Sequence, residues 1–450
     1  MKKSFLFTLL TVTAITANTQ AANIFDAMGN AYSNNPSLQA GRAYLRSVDE
    51  NVAIAKSGFR PNIAIQGSYT DSHIHHELQD MDTGYDESVS AVAKQSVFSG
   101  FSTYNSVKAA KEGVKAEQNN LSNIEQQILL EASTAYLNVL RDESIVELQK
   151  NNEKLLKKRL DETKERFNVG EVTRTDVSQA QARHSQAISD LIAAEGNLAA
   201  SKAVYVQIVG SEPKDMSEPE ELSSVFPATV DEAFASANAN NYTVKAAKSA
   251  LKAKGYAVNA NAGALLPQVN FEARATRGQT YAPQTKDPET NSYVWGVNVT
   301  LPLYNSGETR AKLRQSKYQK WQAQENLLEA QRAMVSSVSS NWEYLVANRA
   351  RIQSVKDQIK AYEIALDGVQ QEEALGNRTV LDVLDAYQAL LNSKVEEVRA
   401  RRDYYVSGMQ LLMSMGKLTA KDLKLGVEVY DAKKHSKDTA GKWLSLSVEK

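Results

Sequence analysis

Two hydrophobic rhythms alternate along this chain. Over Gln268–Thr276, Val269, Phe271, Ala273 and Ala275 share one face, opposite Asn270, Glu272 and Arg274. Such period-two alternation predicts a strand with two unlike faces. It recurs over Ser292–Leu303, where Tyr293, Trp295, Val297, Val299 and Leu301 oppose Ser292, Gly296, Asn298 and Thr300. Weaker equivalents occur earlier, with Ile63, Ile65 and Tyr69 in one segment and Val89, Ala91, Ala93 and Val97 in another. Four strands are thus predicted, at about 61–70, 88–98, 267–276 and 292–303. Each is long enough to cross a bilayer as a tilted strand, although a soluble antiparallel sheet alternates in the same way. The joining segments Asp71–Glu87 and Arg277–Asn291 are polar and long, as exposed outer loops would be.

The second rhythm is helical. The nine prolines avoid 62–212 and everything after Pro302, and proline costs about 3 kcal/mol inside a helix. From Ser106 to Asn168 the chain is rich in Ala, Glu, Gln, Lys and Leu, and Ile145, Leu148, Asn152 and Leu155 have the 3-4-3 spacing of a coiled-coil seam. A helix of that length would reach about 95 Å, and a second is predicted from about Thr309 to Glu373. Each runs into a glycine, Gly170 or Gly376, followed by Thr and Asp where a new helix needs its cap. Two helical hairpins follow, with their tips at the two glycines.

The hairpins belong to a repeat. Asn35 to Ile63 reads against Asn241 to Val269 at an offset of 206, which also relates Leu160 to Leu366, Gly170 to Gly376 and Asp176 to Asp382. The expected organisation is a signal peptide at 1–21, a first unit at 22–210 and a linker at 211–240, then a second unit at 241–416. A segment with a polar tail follows at 417–450, its last twenty or so residues poorly ordered. Lys2 and Lys3, the apolar Phe5–Ala17 stretch and Thr19-Gln20-Ala21 make up the signal peptide, directing the mature chain out of the cytoplasm.

Composition narrows the function. The 42% hydrophobic content is too high for a disordered chain. With 52 basic and 53 acidic residues, the chain lacks the basic excess of a nucleic-acid binder. Zero cysteine excludes disulfides, thiolate metal sites, a cysteine nucleophile and a lipidated N-terminal cysteine. Four spanning strands cannot close a barrel, yet lipid tolerates no open edge, so several chains would have to share one. Three chains would give twelve strands, within the known range; spacing does not choose three over two or four.

The signal peptide, the doubled unit, Asn35-Pro-Ser-Leu, Leu301-Pro-Leu-Tyr-Asn-Ser-Gly307, Arg166-Phe-Asn-Val-Gly170 and Gly376-Asn-Arg-Thr-Val-Leu-Asp-Val-Leu-Asp-Ala386 together resemble the outer-membrane factor family. The likeness covers about Asn23 to Leu425. It implies a mainly α protein with a membrane β-barrel: a homotrimer sharing a twelve-stranded barrel in outer-membrane lipid, with a long helical periplasmic tunnel. Such a passive duct docks on a periplasmic adaptor and an inner-membrane transporter, in multidrug efflux and type I protein secretion. In the family pattern a Thr-Asp pair of the first hairpin bonds an arginine and a tyrosine of the second, closing the periplasmic entrance. Thr175, Asp176 and Arg378 occupy three of these positions. The tyrosine position is Glu373, whose carboxylate would repel Asp176. Without the resemblance, Thr175 and Asp176 read as a helix cap.

Asp382 and Asp385 are spaced i, i+3 on one helix face. Around a three-fold axis they would form two carboxylate rings, the chemistry of a cation-selective constriction with raised pKa values; alone, they complement a helix dipole. His73, His75 and His76 are irregularly spaced for a metal, and no cofactor is expected. Gly416-Lys417 lacks the rest of a phosphate loop, and His184 and His435 complete no catalytic set. Two other classes remain as alternatives: a periplasmic coiled-coil adaptor, which would not duplicate four alternating strands, and a periplasmic enzyme, which would need a convergent catalytic set.

Overall fold

The computed structural model describes residues 23–76, 79–281, 289–439, 441–443 and 445, so the segment 1–21 lies outside the described residues. The chain begins with α1 (Ile24–Asn34) and α2 (Pro36–Ser57), then β1 (Asn62–His76) and β2 (Gln79–Ser99). A helical hairpin follows, α3 (Ser102–Asn168) and α4 (Arg174–Val209). The series then recurs as α5 (Val230–Asn240), α6 (Tyr242–Gly263), β3 (Gln268–Tyr281), β4 (Glu289–Thr300), α7 (Glu308–Ala374) and α8 (Val380–Ser414). Apart from β2 and β4, each element starts 206 residues after its counterpart, as Ile24 and Val230 or Arg174 and Val380 illustrate. A short 3-10 turn at Glu220–Val225 and α9 (Lys434–Thr439) complete the described elements.

Helices α3 and α7 have 67 residues each, or about 100 Å. Their buried positions explain how such rods are held. On α3, Val107, Val114, Leu121, Ile128 and Ala135 are buried at steps of seven, and Leu156 and Thr163 continue the series. Helix α4 answers with Ala180, Ala187 and Ala194. A strict seven-residue repeat is a 3.5-residue period, and small residues on one partner let two helices run close together. The residues that suggested a seam in the sequence (Ile145, Leu148, Asn152 and Leu155) are half-buried; the fully buried line passes through Asp142 and Leu156 instead.

The shorter helices join end to end. Asn35 caps α2 through its side-chain oxygen, while its amide nitrogen donates to the Ile208 carbonyl in the last turn of α4, at 3.0 Å. Asn241 repeats this at α6, donating to the Ser414 carbonyl of α8 at 2.9 Å. A carbonyl left orphaned at one helix end is thereby satisfied by the cap of the next. α4 with α2, and α8 with α6, thus form two further long rods that pack along α3 and α7.

The four strands make one antiparallel sheet in the order β1-β2-β3-β4. They outrun the sequence expectation. β1 and β2 stay paired from Tyr69–Glu87 up to His76–Gln79, and β3 and β4 reach Tyr281 and Glu289. The segments expected as outer loops are thus largely β-ribbon, because backbone pairing tolerates polar side chains where both faces meet water. At the base of the sheet, Gly100 (φ +61°) and Gly263 approach so closely that a Cβ on either would lie 2.1–2.3 Å from the other's carbonyl oxygen. Glycine is required there to seat the sheet on α6.

The main core lies where the rods meet α1, α5 and the tail, around Tyr136, Met28, Leu129 and Met409. The Tyr136 hydroxyl donates to the Ser217 carbonyl at 2.7 Å and accepts from its N–H at 3.0 Å, fixing the 211–240 segment. Part of the tail is anchored: α9 packs on α2, His435 bonds Asp49, and Arg60 stacks on Trp443, while 440, 444 and 446–450 of the stretch expected to be poorly ordered lie outside the described residues. Those anchors are spread over distant sequence positions, so local composition concealed them.

Candidate functional site

The two faces of the sheet differ in character. Cross-strand partners share a face, and Ile65–Ala91, Ala91–Ala275 and Ala275–Tyr293 place the apolar series on one side. Ile65 is 80%, Trp295 75% and Val299 67% exposed there. The other face carries Gln66, Ser68, Lys94, Glu272 and Arg274, with Lys94 paired to Glu272 at 3.6 Å. Among the described strand residues the buried ones, Ser90 and Val92, both lie on this polar side. The crowded face is polar and the open face apolar, the reverse of a sheet in water. Tyr69, Tyr85 and Tyr281 cluster on the apolar face with ring centroids 5.4 and 4.3 Å apart, like one side of an aromatic girdle.

At the far end of the rods, each hairpin turns through a left-handed glycine, Gly170 (φ +81°) and Gly376 (φ +78°). The N–H of Glu171 donates to the Arg166 carbonyl, and that of Asn377 to the Glu372 carbonyl, both at 2.9 Å. Both helices then restart on a capping box. Thr173 accepts from the Asp176 N–H while Asp176 accepts from Thr173, and Thr379 and Asp382 do likewise. Each turn is also spanned by an Arg–Glu pair of opposite polarity, Arg166–Glu171 at 3.2 Å and Arg378–Glu372 at 2.8 Å.

Within one chain, Thr175 and Asp176 are not brought to Arg378. Asp176 is held by Thr173, and Arg378 by Glu372. The expected repulsion between Glu373 and Asp176 is also replaced. Arg166 of the first hairpin donates to Glu373 of the second, linking the hairpins beside a cavity of about 280 Å³. Two turns deeper, Arg159 donates to the Tyr387 hydroxyl at 3.1 Å. Sequence reasoning missed Arg166, although the repeat carried a signal: at the 206 offset Arg166 faces Glu372, a charge reversal between the tips.

Of the two constriction candidates, Asp385 pairs with Arg183 of α4. The Thr379 N–H and hydroxyl hold the Asp382 carboxyl below the usual carboxylate range. Within the chain, then, Asp382 is lowered where a bare carboxylate ring would be raised. His73 lies 3.6 Å from Asp71, while the side chains of His75 and His76 lie outside the described residues. Among the described residues no His, Cys, Asp and Glu cluster could hold a metal, and no helix is long and apolar enough to cross a membrane.

A sheet with its apolar face outward, set on helical hairpins about 100 Å long, defines a chain of an outer-membrane channel. The outer membrane efflux protein family matches the chain twice, over residues 27–211 and 234–417, and the chain belongs to it. It is 39% identical to the outer membrane efflux protein BepC of Brucella suis over 420 residues, 93% of this chain and 91% of that one. With the outer membrane protein TolC of Escherichia coli it shares 24% over 427 residues, 92% and 86% of the two chains. The alkaline protease secretion protein AprF of Pseudomonas aeruginosa is 21% identical over 418 residues, 90% and 86% of the two. In fold it resembles the CmeC outer membrane channel of Campylobacter jejuni, with a TM-score of 0.77, 15% identity and coverage of 93% and 89%. The protein is an outer-membrane efflux duct of the type the sequence motifs implied, in a family of channels rather than of enzymes.

Proposed function

We propose that three copies of this chain close a twelve-stranded barrel and continue into one helical tunnel, a passive duct gated at its periplasmic end. One observation carries the reading: the sheet presents an apolar open face, and both edge strands, β1 and β4, have a neighbour on one side only among the described residues. Val269 to Tyr281 would rise about 30 Å when tilted near 45°, the thickness of a hydrocarbon core. An unpaired edge in lipid costs several kcal/mol per exposed group, so β4 of one copy must pair with β1 of the next. The AprF and BepC likenesses support a duct serving both protein secretion and efflux, with a periplasmic adaptor and an inner-membrane transporter as partners.

The hairpin tips are then the entrance. Arg166–Glu373 holds each chain's hairpins together, while Thr175, Asp176 and Arg378 face neighbouring copies. Asp382 and Asp385 supply a constriction of six carboxylates in three chains, with Arg183 tempering Asp385. Chemical cross-linking of membrane-extracted protein should give a ladder ending at trimer, and the trimer should separate only on heating. A detergent-solubilised monomer that conducts ions would overturn the shared barrel.

A further inference from the structure

Below the junction of sheet and rods lies a cavity of about 940 Å³. Lys56 of α2, Lys111 and Lys115 of α3, and Lys245, Lys248 and Lys252 of α6 line one wall. Lys433 and Lys437 of the tail close the other. Half of its sixteen lining residues are lysine; none is acidic and none is arginine. The tail is held across it by Gln118, whose amide donates to the Ala432 carbonyl at 3.1 Å.

This charge is segregated, because the whole chain carries a net charge of only −1. Helix α6 has four lysines and no acidic residue in 22 positions. Its Lys248 and Lys252, like Lys111 and Lys115 or Lys433 and Lys437, stand i, i+4, where like charges repel. Lys115 is paired with Glu112 at 2.6 Å. Among the described residues, Lys111, Lys248, Lys252, Lys433 and Lys437 have no ion-pair partner. Burial pushes the Lys245 ammonium down, and Lys417, which lies outside the cavity lining, adds to the shift. A folded chain keeps such repulsion at a cost to stability unless an anion relieves it.

The residue type is compatible with phosphate: lysine binds phosphate oxygens as a point charge, without the fixed bidentate geometry that an arginine fork imposes on carboxylate or phosphate. Location narrows the choice. Lys56 lies two residues before Gly58, where α2 ends, and six before β1, whereas Lys252 lies eleven residues before the end of α6, or about 16 Å deeper. The cavity therefore reaches from the membrane edge down the rods.

We propose that this cavity binds a phosphate-bearing anion, either the headgroup of an anionic phospholipid in the periplasmic leaflet or a free phosphorylated solute. Lys248→Gln with Lys252→Gln removes two charges, and Lys154→Gln with Lys157→Gln on the exposed side of α3 controls for net charge. In detergent, inorganic pyrophosphate should raise the wild-type melting temperature, with affinity at least tenfold weaker in the cavity variant and unchanged in the control. Without ligand, the cavity variant should melt above wild type because repulsion is relieved, which separates lost binding from lost folding. In phosphatidylcholine nanodiscs with and without phosphatidylglycerol, native mass spectrometry should find phosphatidylglycerol retained by wild type and not by the cavity variant if the source is lipid. Pyrophosphate binding without that retention assigns the site to a free solute. Equal pyrophosphate affinity in wild type and cavity variant, or tighter binding of a glutamate peptide of equal charge, overturns the proposal.

Discussion

Arg166→Gln tests how the tunnel entrance is held. The substitution removes the guanidinium that bridges Glu171 of its own turn and Glu373 of the second hairpin. Glu373 is the more buried partner, 12% exposed against 39% for Arg166. Exposed pairs are worth about 0–1 kcal/mol and hydrogen bonds to shielded charges about 1.5–3 kcal/mol. A half-exposed link between these limits, discounted for solvent screening, contributes about 1 kcal/mol per chain. If three tips open together, about 3 kcal/mol is at stake, or roughly a hundredfold in the closed-to-open ratio at 1.4 kcal/mol per tenfold. In planar bilayers, Arg166→Gln and Glu373→Gln should each raise single-channel conductance. Their combination should raise it no further than either alone, because both delete the same link. Unchanged conductance in Arg166→Gln, or fully additive effects, would show that the link does not hold the entrance.

Asp382→Asn with Asp385→Asn should abolish block by di- and trivalent cations in bilayer recordings. Because Thr379 lowers Asp382, its share of the block and the stability of its cap are present above the unfolded aspartate pKa. Both should be lost only as pH falls through the lower folded value, so a wild-type block already gone at ordinary carboxylate pH would contradict this. Gly170→Ala forces a Cβ into the left-handed region at about 1–2 kcal/mol and should speed hydrogen exchange at residues 166–176, leaving the sheet unaffected. Ala187→Leu, at a position 2% exposed, overpacks the α3–α4 seam by about 1–3 kcal/mol and should lower the melting temperature. Burial raises Asp49, so its contribution is favourable below the unfolded aspartate pKa and declines as pH rises through the folded one. Asp49→Asn should flatten that decline in a melting-temperature profile against pH.

Much of the architecture was legible along the chain because it rests on local, periodic causes. Period-two alternation placed four strands, proline-free stretches with glycine stops placed two hairpins, and an unbroken 206 offset tied them together. The caps are legible only in part: spacing points to a cap at each restart, but the reading of Thr175 with Asp176 is corrected to Thr173 as N-cap with Asp176 three residues on, Thr175 lying inside α4. Strand ends were misjudged because backbone pairing continues after the hydrophobic signal stops. The anchoring of His435 and Lys442 is hidden from local composition because their partners, Asp49 and Arg60, lie nearly four hundred residues away in sequence.

Charge pairing at the tips lay beyond the reach of pattern. Whether Glu373 repels Asp176 or is neutralised by Arg166 depends on how two hairpins 207 residues apart are rotated against each other. The hydrophobic repeat fixes that rotation only to the width of a stripe. The lysine cavity is a stronger case. Its charges come from α2, α3, α6 and the tail, each an ordinary basic surface in sequence. Coulomb interaction depends on distance in space, so only the packed chain brings eight of them around one void.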